Sequence, residues 1–151
     1  MTKNQFYEVL GDTLDESHTG ILATSDAEGQ PSMRWMTPVI IPSSPGLLFA
    51  VTSKKFDKCK DLKANPNAQW MIQTKTLTKI ITVSGQVNLI DNPSFKARVL
   101  EAIGPRLRVF WNVNENPEDI VVLETVMQEA SVFMPMAGKR SAVDFNGDKK
   151  S

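Results

Sequence analysis

Apolar residues recur along this chain with two periods, one helical and one of two residues. Over Thr2 to Glu16, Phe6, Val9, Leu10 and Leu14 fall at helical spacing and predict an amphipathic helix, slightly weakened by Gly11. Thr19 to Ser25 predicts a buried strand around Ile21, Leu22 and Ala23. Asp26-Ala27-Glu28-Gly29 predicts a hairpin turn with glycine supplying a positive φ, and Pro31 to Ile41 the returning strand. Pro42 to Gly46 is a loop, and Leu47 to Thr52 a third strand. Phe56 to Ala64 is a short helix that Pro66 stops by pushing Asn65 out of helical geometry. Ala68 to Thr74 and Lys79 to Ile90 predict two strands joined by a polar turn. A helix follows from Asp91-Asn92-Pro93 through Ile103, with proline early and Gly104-Pro105 at its end. Arg106 to Asn112 is ambiguous. Ile120 to Thr125, Glu129 to Pro135 and Ser141 to Phe145 predict the last strands, the final two around an Ala137-Gly138 turn.

Strands in consecutive hairpins with a few inserted helices predict an antiparallel barrel, mainly β, rather than a βαβ parallel sheet. No internal repeat or second domain interrupts the pattern. The expected organisation is one domain over residues 1–145 and a polar tail over 146–151. Hydrophobic residues at 41% and charged residues at 23% are globular values. Lys plus Arg equals Asp plus Glu at 17 each, so no broad field draws the chain to nucleic acid or an anionic membrane, and any anion site is local. One cysteine, Cys59, excludes an internal disulfide framework and a Cys-rich zinc site. The N-terminal residues lack a signal-peptide run and the apolar stretches are too short to span a bilayer, so the expected location is cytoplasmic.

The chemically richest stretch is Val51-Thr52-Ser53-Lys54-Lys55-Phe56-Asp57-Lys58, where a strand gives way to a helix. The first amides of a helix have no internal partner and carry partial positive charge, so two hydroxyls and several lysines there suit a phosphate. Those features also suit an ordinary N-cap with solvated lysines. The spacing is not that of a Walker A loop. Arg34, inside a predicted strand between Met33 and Trp35, either faces solvent or reaches the same anion as Lys58 if the barrel sets the second strand beside the third.

Four pieces, in order, resemble the pyridoxamine-phosphate-oxidase-like FMN-binding split barrels, and in particular their short general-stress-protein branch. They are Gly20-Ile21-Leu22-Ala23-Thr24 with Gly29-Gln30-Pro31-Ser32-Met33-Arg34; Leu48-Phe49-Ala50-Val51-Thr52-Ser53; Lys58 with Leu62, Asn65 and Pro66; and Val83-Ser84-Gly85-Gln86-Val87. The resemblance implies an antiparallel split β-barrel and FMN as cofactor. It implies that Arg34 and Lys58 bind the phosphate and that Thr52 and Ser53, with Val51 beside them, lie under the phosphate and ribityl chain. Trp35, Met36 and Thr37 would run along the isoalloxazine ring, with Phe56 helping to form its apolar slot. It also implies a homodimer with flavin at the interface and a small-molecule substrate or a reductant such as NAD(P)H. Two features depart from the family's oxidases. Asp57 stands where they carry an arginine, and Ala130 to Ser151 contains no counterpart of their long C-terminal segment. Pyridoxamine phosphate is therefore not the expected substrate.

His18, the single histidine, reads as a surface or capping group rather than a haem ligand, and Cys59 as a small core residue. Trp111 either caps the flavin across the dimer or fills the core, and Trp70 reads as core or interface. Met134 and Met136 read as core fillers before channel residues. No carboxylate pair or Ser/His/Asp set supports hydrolysis. The expected function is an FMN-dependent oxidoreductase whose catalytic side chain is unknown. The alternatives are a flavin-binding stress protein without turnover, working as carrier or sensor, and a binder of deazaflavin or haem.

Overall fold

The computed structural model describes residues 1–104 and 117–146. Trp111 and the whole of the ambiguous 106–112 stretch lie outside them. Helix α1 (Lys3–Ser17) begins in a capping box: the Thr2 hydroxyl accepts from the Gln5 amide at 3.1 Å, and the Gln5 side chain accepts from the Thr2 amide at 2.8 Å. Its buried face carries Phe6, Leu10, Thr13 and Leu14. His18 closes it in the left-handed region at φ 60°, its amide bonding back to the Leu14 carbonyl.

Strand β1 (Gly20–Ser25) pairs with β2 (Pro31–Met36) across the expected turn, where the Asp26 carboxylate accepts from the Glu28 and Gln30 amides. The returning strand stops at Met36, short of the expected Ile41. Pro38 has no amide to donate, and beyond it only Val39 pairs, in an isolated bridge to Phe49. Strand β3 (Leu47–Ser53) leads to helix α2 (Asp57–Ala64). β4 (Asn67–Gln73) and β5 (Ile80–Ile90) form a hairpin, and α3 (Pro93–Ile103) is capped by Asn92.

After a 3₁₀ turn over Pro117–Asp119, β6 runs unbroken over Ile120–Met134, and β7 (Lys139–Asp144) pairs with its far half. The two strands expected over 120–125 and 129–135 are thus one. The alternation between them slips because Gln128 is an extra residue: Ser84 pairs with Glu129 but Gly85 with Met127.

All pairings are antiparallel, in the order β2-β1-β4-β5-β6-β3. The sheet curls into a split β-barrel whose edge strands at the split are β2 and β3. The interior holds Leu22, Leu48, Trp70, Ile72, Ile81 and Val83, closed by α1 and by Leu62 of α2. Trp70, fully buried, donates its indole N–H to Thr125 at 2.9 Å, so a large ring enters the core with no polar atom unmatched. A second cluster packs the outer side of β3 and β6 under α3, with Phe49, Val51, Val99, Ile103 and Val122. Strand β3 is therefore covered on both faces, which explains its uninterrupted apolar run.

Candidate functional site

The site lies at the split, where β2 and β3 end the main strand order and α2, leaving β3, returns against β1 and β5. Arg34 sits opposite Leu22 on the inner side of β2. Its Nη1 donates to the Leu22 carbonyl at 3.1 Å and to the Thr24 hydroxyl at 2.8 Å, and its Nη2 donates to the Ser32 hydroxyl at 2.7 Å. These bonds fix the guanidinium plane without neutralising it. Burial pushes its pKa below the ordinary value, and the nearby Asp61 carboxylate pulls it part of the way back.

Lys58 lies on the first turn of α2. Its Nζ donates to the Thr52 hydroxyl at 2.9 Å and stands 4.3 Å from the centre of the Phe56 ring. Burial lowers its pKa most; the neighbouring Cys59 opposes this and the Arg34 charge adds to it. The two cations nominated from the sequence therefore lie within each other's electrostatic reach. The Ser53 hydroxyl, also buried, accepts from the Lys55 amide at 3.3 Å, and its carbonyl accepts from the Phe56 amide at 3.2 Å.

The junction differs from the expected cluster in three ways. Neither hydroxyl caps α2: the N-cap is Phe56, and no side chain bonds to the helix start. Lys54 and Lys55 are turned elsewhere, to Asp91 at 3.6 Å and Asp119 at 2.9 Å, so Lys58 is the lysine of the three beside Thr52. Asp57 is exposed in the first turn, where a carboxylate favours the helix dipole.

The remaining nominated residues are not gathered with these. Val51 faces the cluster under α3, while Thr52 is on the opposite face of β3. Trp35 stands on the outer face of β2, 64% exposed, whereas Met36 packs toward the main core. Trp35 and Met36 therefore cannot line one slot within a single chain. Thr37 is half-buried just past the end of β2. Sequence reasoning missed Thr24, Ser32 and Asp61 as partners of Arg34. The hairpin register held the signal for the first two: Ser32 lies two residues from Arg34 on the same face, and it pairs with Thr24. Cys59 is buried, with its Sγ 3.5 Å from the Ser53 carbonyl and its pKa raised by burial.

The family model for pyridoxamine 5'-phosphate oxidase matches residues 8–132. The chain belongs to that family. Solved structures share its fold. A protein from Clostridium acetobutylicum related to general stress protein 26 aligns with a TM-score of 0.75 at 10% identity, covering 97% of this chain and 98% of its own. An FMN-binding, pyridoxamine 5'-phosphate oxidase-related protein from Nostoc punctiforme aligns at 0.66 and 12%, covering 93% and 97%. An F420 reductase aligns at 0.61 and 21%, covering 80% and 94%. No curated protein matches the sequence. Among the described residues, no helix is long and apolar enough to cross a membrane.

Proposed function

We propose that this family member binds FMN at the barrel split, as a homodimer, and acts as an FMN-dependent oxidoreductase on a small molecule. The observation that carries the reading is the Arg34–Lys58 pair. Two partly desolvated cations from different elements lie within electrostatic reach of each other, each held by its own buried hydroxyl, Thr24 for Arg34 and Thr52 for Lys58, and among the described residues no carboxylate pairs directly with either. Like charges in a dry place raise the free energy of the free protein, and a phosphate dianion relieves them. The start of α2, bare of any side-chain cap, adds unpaired amides to the same anion.

Arg34 and Lys58 would hold the phosphate, Thr52 and Ser53 would lie under it and the ribityl chain, and the chain around Trp35, Met36 and Thr37 would meet the ring. Flavin, when bound, supplies the redox chemistry, and the protein supplies position and electrostatics. Because Trp35 is turned to the outer face, it serves a ring only at a surface shared by two subunits. The exposed Met33, Trp35 and Met71 on that face support the homodimer.

The absorbance spectrum of the purified protein tests the cofactor. An oxidised flavin band near ~450 nm is expected, since the colour is the cofactor's own. A deazaflavin spectrum would favour the second reading that the F420 reductase neighbour suggests, and a haem Soret band would displace both. Bleaching of the flavin band by NADH or NADPH would mark the oxidoreductase; no bleaching with either would leave a carrier or sensor.

A further inference from the structure

A cavity of about 530 Å³ lies outside this site, between the first turns of α1 and the segment joining β2 to β3. Its apolar walls are Ile40, Ile41, Leu47 and Met127; Asn4, Tyr7 and Glu8 of α1 bring polar groups to it. The frame is fixed on both sides. The Met127 amide of β6 donates to the Gly46 carbonyl at 3.0 Å, and the Ser44 amide to the Ile41 carbonyl at 2.8 Å. The Tyr7 ring packs against Phe6 and Phe145. Gly46, at φ +82°, presents bare backbone beneath the Tyr7 hydroxyl, which would lie only 3.7 Å from a Cβ placed there.

Two features point to what fills it. The half-buried Tyr7 hydroxyl and the exposed Glu8 carboxylate have no hydrogen-bond or ion-pair partner among the described residues, so two polar groups stand free at the rim of an apolar hollow. Among the described residues, Glu8 is also the single charged side chain in the lining. The volume is that of a small-molecule site, with a few polar groups placed at one side to orient the ligand.

We propose that this cavity is a binding site for a small arylalkyl amine. The ring lies among Ile40, Ile41, Leu47 and Met127, and the ammonium binds the Glu8 carboxylate and donates to the Tyr7 hydroxyl. A neutral ligand of the same shape forgoes the charge-assisted bond, and an anionic one is repelled by Glu8. The site is independent of the flavin reading, because it shares no residue with the barrel split.

Tyr7 is the single tyrosine of the chain, so the full protein labelled with 3-fluorotyrosine carries one fluorine signal, located in the cavity. Titration with phenethylamine is expected to shift that signal saturably. Phenethyl alcohol is expected to bind about tenfold more weakly, as loss of one charge-assisted bond implies. Glu8→Gln is expected to bring the amine down to the level of the alcohol. Glu8 is exposed, so this variant keeps the fold, and an unchanged far-UV circular dichroism spectrum before titration verifies it. A non-saturating response to the amine, equal affinities for amine and alcohol, or undiminished amine binding in the Glu8→Gln protein overturns the proposal.

Discussion

Lys58 and Arg34 are exceptions to the usual pairing of partly buried cations with carboxylates. Asp61 is near enough to raise the Arg34 pKa, yet forms no ion pair with it, and among the described residues no carboxylate offsets Lys58, whose pKa only the Cys59 thiol pulls back up. Replacing Lys58 by Ala is therefore expected to weaken FMN by about 1.5–3 kcal/mol, roughly 10- to 150-fold, while riboflavin, without the phosphate, is nearly unaffected. Fluorescence titration with the two ligands checks this, and equal losses would remove the phosphate assignment. Cys59 carries a different expectation. Burial raises its thiol pKa, so the folded state keeps the proton to higher pH than the unfolded state does. That contribution to stability is full below the ordinary thiol range and is lost as pH climbs through the raised value. Native Cys59 should thus react with iodoacetamide at pH 8 only at the rate of structural opening, and far faster in denaturant. Residue identity made both cations visible in the sequence. It could not show that Lys54 and Lys55 turn to Asp91 and Asp119, because those partners are far along the chain.

At the level of elements, the long strand β6 serves two neighbours on one edge, β3 along its first half and β7 along its second. The Gln128 bulge marks the changeover, and its carbonyl takes the Phe145 amide at 2.9 Å. This is why the alternation broke and two strands were expected: the period that reveals a strand resets at a bulge. Gly85 lies opposite. A Cβ there would stand 2.2 Å from the Val126 carbonyl oxygen, and backbone cannot yield as a side-chain tip can. Gly85→Ala is expected to destabilise the protein by about 3 kcal/mol, the upper end of the usual overpacking cost. Urea unfolding with an unchanged slope reads it, and a midpoint equal to that of the parent would show that the bulge relaxes freely. The Gly in Val83-Ser84-Gly85-Gln86-Val87, quoted for its resemblance, thereby acquires a packing reason. α1, α2 and α3 matched their periodicity closely, since caps and helix stops are local.

Over the whole molecule, register places Trp35, Ile21 and Met71 side by side on the outward face of β2, β1 and β4, with Met33 next to them. Met33 is 70% exposed and Trp35 64%. If this face joins two subunits, Trp35→Glu should convert a dimer to a monomer in sedimentation velocity while the far-UV spectrum stays the same, because the side chain lies outside both cores of the described residues. A dimer that survives the change would place the subunit contact elsewhere. What the sequence determined by itself was local: two periods, the turns, the caps, the mainly β hairpin order, and the residue types that suit a phosphate. Tertiary structure alone decided that β2 and β3 end the main strand order, that Arg34 is braced by Thr24 and Ser32, and that Val51 and Thr52 turn to opposite cores. The reason is physical. Periodicity reports which side of an element is apolar, whereas the partner of each side depends on sheet order and bulges set by contacts distant in sequence.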